Sequence, residues 1–295
     1  MSADRKNTPG VFSHSMDEHR EEIEAADLPP EALPRDFFFS SDVDSELARA
    51  MAEAGNPAAR RVVAPLAPGN NEIQRARREA RAAAAQDGAQ PAPLKIGVLI
   101  SGSGTNLQAL IDRIAAGELN AQIVLVVSSR PSAAGLKRAA DAGIQTLALS
   151  KELYADPWDA DEVIATELER AGAEYIVMAG YMRKVHEPLL ALWPDRVVNI
   201  HPALLPSFQG AHGIQDAFDR GVKVTGVTVH FANAVYDQGP IIAQEAVRVE
   251  EGWTVDELEA AIHKVEHQLY PHVVQLLADG RVQVNDDRTV SVLPE

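Results

Sequence analysis

The fold class this sequence predicts is α/β and Rossmann-like: a mostly parallel sheet with helices on both faces and an antiparallel addition at one edge. Three observations carry the prediction. From Lys95 onward, short β-branched apolar runs alternate with helical segments. A glycine-rich turn, Ser101-Gly102-Ser103-Gly104-Thr105-Asn106, lies between the first such run and the first helix. After Val185 the alternation loosens, and two apolar runs are joined by only a short loop.

The elements follow in order. Ile96 to Ile100 and Ile123 to Ser128 read as strands, with Asn106 to Ala116 between them as an amphipathic helix, which makes a βαβ unit. Then come a helix over Ala133 to Ala142, a short strand over Thr146 to Leu149, a helix over Ala160 to Ala171 and a strand over Tyr175 to Ala179. Continuous apolar strands separated by helices imply a parallel sheet covered on both faces. Arg196 to Ile200, Lys223 to Phe231 and Ile241 to Val249 also read as strands, the last two as the antiparallel edge. Thr254 with Glu257 three residues on forms a capping box that opens a long helix to Ala278, and Asp279-Gly280 ends it. Arg281 to Leu293, split by Asn-Asp-Asp, reads as a hairpin.

Composition narrows the function. The chain has 295 residues and a net charge of −16, so it repels the phosphate backbone that nucleic-acid binders must neutralise. It has no cysteine, which removes disulfides, thiolate nucleophiles and Cys-ligated metal sites. No apolar run approaches the roughly 20 residues of a membrane span, and the N-terminus lacks an apolar signal core. A cytoplasmic protein with no nucleic-acid or membrane partner is the expectation.

Residues 1–94 differ from the rest, holding 9 of the 18 prolines but only 4 of the 19 glycines. Asp44 to Ala54 and Asn71 to Gln86 have helix-forming compositions without a clear apolar stripe, and Pro91-Ala92-Pro93 looks like a linker joint. A mostly disordered or loosely helical extension is expected over 1–94, followed by one domain over 95–295. Phe37-Phe38-Phe39 is the exception, since adjacent aromatics in a polar tail usually dock on something.

The glycine turn precedes a helix, where exposed amides and the helix dipole favour an anion, so Gly104, Thr105 and Asn106 are phosphate-cradle candidates. It is neither Gly-x-Gly-x-x-Gly, since Leu107 takes the sixth position, nor a Walker A loop. Ser128-Ser129-Arg130 stands where a dinucleotide fold would place its ribose-binding acid, which argues against NAD. The plainer alternative is a turn whose glycines only permit close packing.

Along the strand leading into Asn199-Ile200-His201-Pro202, alternation directs Asn199 and His201 to one side. An amide donor and an imidazole together suit a carbonyl carbon under attack, because the oxyanion needs fixed donors and the proton needs a carrier. Asp237-Gln238-Gly239-Pro240 reads either as an ordinary turn or as the source of a carboxylate that acts with His201. His263 to His267 matches His-x-x-Glu-His, but the short remaining chain offers no third ligand in the usual place, and a surface or packing role is expected rather than a metal.

Six strings in order then carry a resemblance: 95 to 109, Met-Ala-Gly-Tyr-Met-Arg (178 to 183), Asn-Ile-His-Pro-Ala-Leu-Leu-Pro-Ser-Phe (199 to 208), Val-His-Phe (229 to 231), Asp-Gln-Gly-Pro-Ile-Ile-Ala-Gln (237 to 244) and Glu-His-Gln-Leu-Tyr-Pro (266 to 271). Together they resemble the phosphoribosylglycinamide formyltransferase family, the folate-dependent transformylases of purine synthesis, over nearly all of 95 to 284. The resemblance implies metal-free transfer of a formyl group from 10-formyltetrahydrofolate to the amine of glycinamide ribonucleotide, both small-molecule partners. It implies that Asn199 and His201 stabilise the formyl oxyanion and that Asp237 assists proton transfer. It further implies that Gly104, Thr105 and Asn106 hold the phosphate, that Glu266 holds the substrate amine, and that Met182 and Arg183 border the folate site. Gln209 stands where the family usually has Pro, and Lys151 to Asp161 matches too poorly for any role to be carried over. The leader before Leu94 is either an appendage or a sign that translation begins later. Oligomeric state is left open, a homodimer included. Formyltetrahydrofolate deformylase is the nearest rival, but its N-terminal domain should show β-α-β alternation. Methionyl-tRNA formyltransferase would need a basic C-terminal module, and a non-catalytic scaffold would have no use for Asn199, His201 and Asp237.

Overall fold

A computed structural model describes residues 67–294. The Phe37–Phe39 run and the helix expected over 44–54 lie outside those residues. The first described element is helix α1 (Asn70–Gln86). After it come β1 (Leu94–Ile100), α2 (Thr105–Ala115), β2 (Ala121–Ser128), α3 (Ala134–Asp141), β3 (Thr146–Ala148), α4 (Pro157–Arg170) and β4 (Tyr175–Met178). The second half holds α5 (Glu187–Leu190), β5 (Val197–His201), α6 (Gly213–Asp219), β6 (Val224–Phe231), β7 (Ile241–Arg248), α7 (Val255–Ala278) and the two-stranded pair β8 (Val282–Val284) and β9 (Val290–Val292).

Seven strands form one sheet in the order β3-β2-β1-β4-β5-β6-β7. The first five run parallel; β6 is antiparallel to β5 and β7 antiparallel to β6. This is the expected mostly parallel sheet with its antiparallel edge. Strand alternation sorts side chains between two cores: Ile96, Val98 and Ile100 of β1 face the core shared with α2 and α7, while Leu99 faces the core shared with α4 and α5. Layers on both faces explain why these strands read as continuous apolar runs.

The long helix α7 opens with the expected capping box, Thr254 accepting from the Glu257 N–H and the Glu257 carboxylate accepting from Thr254. Fully buried Tyr270 bonds through its hydroxyl to the carbonyls of Met178 (3.0 Å) and Val198 (2.9 Å), tying α7 to the carboxyl end of β4 and the start of β5.

Helix α1 attaches mainly by polar contacts, with Ile73 packed against the core. The buried Gln74 amide donates to the Tyr175 hydroxyl (2.9 Å) and the Leu277 carbonyl (3.0 Å) and accepts from the Val282 N–H (2.9 Å). Asn71 both donates to and accepts from the Val284 backbone, and Asn70 accepts from Tyr175. Arg77 pairs with Glu174. The segment expected to be loose before residue 95 thus includes a helix bonded into the end of α7 and into β8, and Leu94 itself opens β1. The lack of an apolar stripe, which suggested looseness, reflects this mode of attachment.

Candidate active site

The turn from β1 to α2 and the chain leaving β4 meet where the strand order reverses, the switch point at which open α/β sheets bind ligands. The Ser101 N–H donates to the Gly180 carbonyl (3.1 Å), and the Ser101 hydroxyl accepts from the Met182 N–H (2.9 Å). Gly104 caps α2 in the left-handed region (φ 71°), and a Cβ there would sit 2.6 Å from the Gly135 Cα, so conformation and space both require glycine. Helix α2 therefore begins at Thr105, with its first amides at the carboxyl edge of the sheet.

Beside that turn, Asn106 donates to Glu266 of α7 at 2.9 Å. Glu266 is 5% exposed, and burial pushes its carboxyl above the ordinary value, with the Asn106 amide and His263 working in the opposite direction. The Asn106 side-chain Oδ1 is buried with no hydrogen-bond partner. A buried carboxylate and an unpaired acceptor side by side suit a ligand that brings N–H donors or positive charge.

A second cluster forms at the end of β5. Asn199 and His201 lie on one side of the strand, and the turn after β6 brings Asp237 to them. His201 Nδ1 is 3.5 Å from Asp237 Oδ2, and its Nε2–H donates to the Phe208 carbonyl at 2.8 Å. Asp237 takes a positive φ of 54°, and its carboxylate accepts from the Gly210 N–H at 2.9 Å. A Cβ on Gly239 would fall 1.7 Å from the Phe231 carbonyl oxygen, so this close crossing over the end of β6 demands glycine. Gln209, the departure from the family pattern, donates to the Asp237 carbonyl at 3.1 Å and so holds this loop to that turn.

Burial lowers the His201 imidazole below its ordinary value, against the pull of Asp237 and the Phe208 carbonyl. Burial would raise Asp237, but His230, the Gly210 N–H and the His201 charge outweigh it and hold the carboxyl low. At neutral pH the pair is a neutral imidazole facing an ionised carboxylate, a form ready to accept one proton.

His230 belongs to this cluster and had no role in the sequence reading. Its Nδ1–H donates to the Phe231 carbonyl (3.0 Å), which leaves Nε2 to accept from the Asn199 amide at 3.1 Å, while Asp237 Oδ1 lies 3.7 Å away. Val-His-Phe in the sequence was the available signal, but nothing local tied it to Asn199.

Met182 is 57% exposed, and Arg183 lines a pocket with Val185, Asn199, Tyr236 and Asp237. A roomier cavity of about 350 Å³ beside α1, lined by Asn71, Gln74, Arg75 and Arg78 among others, holds none of the converging acid–base groups, so volume alone would mislead. His263 and His267 stack at 6.3 Å, and among the described residues no group of three or more His, Cys, Asp or Glu is arranged to hold a metal ion. Among those residues, also, no helix is long and apolar enough to cross a membrane.

Fold and site define a class: a Rossmann-like α/β protein with a glycine-rich turn from β1 to α2 and a buried His–Asp cluster near the carboxyl edge of its sheet. Residues 94–274 match the formyl transferase family, and the chain belongs to that family. It is 37% identical over 183 residues to the phosphoribosylglycinamide formyltransferase of Bacillus subtilis, covering 62% of this chain and 94% of that one. It is 40% identical over 201 residues to the human trifunctional purine biosynthetic protein adenosine-3, covering 68% of this chain. It spans only 20% of the length of that trifunctional relative. The crystal structure of glycinamide ribonucleotide transformylase 1 from Symbiobacterium toebii is similar with a TM-score of 0.67 and 43% identity, covering 70% of this chain and 96% of that one.

Proposed function

We propose that this protein, a one-carbon transferase, moves the formyl group of 10-formyltetrahydrofolate to the amine of glycinamide ribonucleotide in purine biosynthesis. The relatives named phosphoribosylglycinamide formyltransferase support the reaction class. The observation that carries the reading is the convergence of Asn199, His230 and Asp237 on one pocket, with His201 3.5 Å from Asp237.

The glycine turn and the start of α2 receive the phosphate of the amine substrate, with Gly104, Thr105 and Asn106 supplying the edge. Glu266 and the free Asn106 side-chain Oδ1 hold its amino end. The pocket lined by Arg183, with Met182 next to it in the chain, takes the folate, which supplies the formyl carbon. Attack by the amine nitrogen forms a C–N bond and puts negative charge on the formyl oxygen. One Asn199 N–H is turned to His230, which fixes the amide and leaves the other N–H for that oxygen. Both nitrogens of His201 face protein groups, so His201 acts here as proton carrier rather than direct oxyanion donor. The amine proton passes to the His201–Asp237 pair, the bond from the formyl carbon to the folate nitrogen breaks, and that nitrogen takes up a proton. Products are the formylated amine and tetrahydrofolate. Holding both substrates side by side removes much of the entropic barrier.

The test follows formyl loss from 10-formyltetrahydrofolate with and without glycinamide ribonucleotide. Turnover only with the amine is expected. Equal turnover without it would identify a deformylase, and no turnover a binding protein.

A further inference from the structure

The stretch from Lys151 to Asp161, which runs from the loop after β3 into α4, received no role from sequence, yet two of its side chains grip the loop after β4. Arg183 lies over the Tyr154 ring, its Cζ 3.9 Å from the ring centre, and the Tyr154 hydroxyl is hydrogen-bonded to that of buried Tyr181. Asp161, 1% exposed, accepts from both the backbone N–H (2.6 Å) and Nδ1–H (2.9 Å) of His186. With the Met182 N–H bound to Ser101, the stretch 181–186 is held at its start, its second residue and its end. Arg183 projects from the middle of this stretch into the pocket that holds Asn199 and Asp237. Among the described residues it makes no hydrogen bond or ion pair, so the ring is what locates its guanidinium.

We propose that Tyr154 is a positioning residue for the formyl donor, acting through Arg183; this rests on the reading above that the pocket takes the folate. The negative face of the ring attracts the guanidinium. A planar guanidinium held by one face keeps its N–H edges for an anionic group of the donor. Ordering Arg183 before the donor arrives lowers the entropic cost of binding. Tyr154 touches neither reacting atom, so its effect falls on donor affinity and leaves chemistry alone.

The test is steady-state kinetics on the full chain with Tyr154→Phe as reference, compared with phenylalanines of increasing fluorination at 154 and with Tyr154→Leu. Fluorination drains the ring's negative face while keeping its shape, so the comparison survives even if Tyr154→Leu folds poorly. KM for 10-formyltetrahydrofolate is expected to rise stepwise to about two- to fivefold, the size of an exposed cation–π contact. In the same series kcat and KM for the amine substrate stay level, and in an Arg183→Gln background the series goes flat. A donor KM that ignores ring fluorination, or a loss spread equally over all three parameters, overturns the proposal while leaving the transferase reading intact. A wild-type chain that transfers no formyl group to the amine overturns both.

Discussion

Asp237 Oδ2 lies 3.5 Å from His201 Nδ1, with the two side chains 1% and 4% exposed. So little solvent reaches the pair that a proton taken up between them comes from the site rather than from bulk water. The His201 imidazole is depressed by burial and the Asp237 carboxyl is held low by its donors, so the neutral-imidazole, ionised-carboxylate form persists below the pH at which a free histidine titrates.

The acid limb of the kcat–pH profile is therefore expected below 6.5, the ordinary histidine value. Asp237→Asn should lower kcat by about two to four orders of magnitude, the range of a lost proton-transfer group. Asp237 works to raise the imidazole, so its neutralisation should move the residual acid limb lower still. A profile measured on both proteins checks this, and a limb that moves upward would contradict the assignment.

Asn199→Ala removes the N–H left free for the formyl oxygen. Turnover should fall by about two to three orders of magnitude, with glycinamide ribonucleotide affinity little changed. Single-turnover rates with equilibrium nucleotide binding separate the two. An unchanged rate would take Asn199 out of the mechanism.

Glu266→Gln keeps the shape of the side chain and removes its charge. KM for the amine substrate should rise by about thirtyfold or more, as when a buried charge loses its partner. Burial raises the Glu266 carboxyl, so in the wild type amine affinity should begin to fall, as pH drops, above the ordinary value of 4.5. Substrate KM measured across acidic pH reads this directly.

Gln74→Ala strips partners from the Tyr175 hydroxyl, the Leu277 carbonyl and the Val282 N–H. A loss of about 2 kcal/mol is expected, since the Val282 N–H is left unpaired while the Tyr175 hydroxyl keeps Asn70 and the Leu277 carbonyl keeps the Gly280 N–H. Denaturant midpoints measure it, and kcat of the folded enzyme should not change. Stability equal to wild type would contradict the anchoring role given to Gln74.

Much of the fold was legible in the sequence because period and punctuation are local properties. Apolar runs such as Val98 to Ile100 announce strands buried on both faces, Thr254 with Glu257 announces a helix start, and Gly104 marks a turn into a helix. The alternation that placed Asn199 and His201 on one side of β5 is equally local. Helix α1 could be foreseen as a helix but not as a bound one, because Asn70, Asn71 and Gln74 attach through side-chain amides to backbone groups more than 200 residues away. Polar anchors leave no periodic trace.

By itself, then, the sequence determined which segments become strands and helices, which faces they bury, and which residue types stand at the strand ends. Tertiary structure alone decided that Asp237 meets His201, that His230 sets the Asn199 amide, and that Tyr154 lies under Arg183. The reason is physical: hydrogen-bond period and apolar patterning act over a few residues. Convergence of distant side chains depends instead on strand order and on one turn, at Asp237 and Gly239, folded tightly over its neighbour.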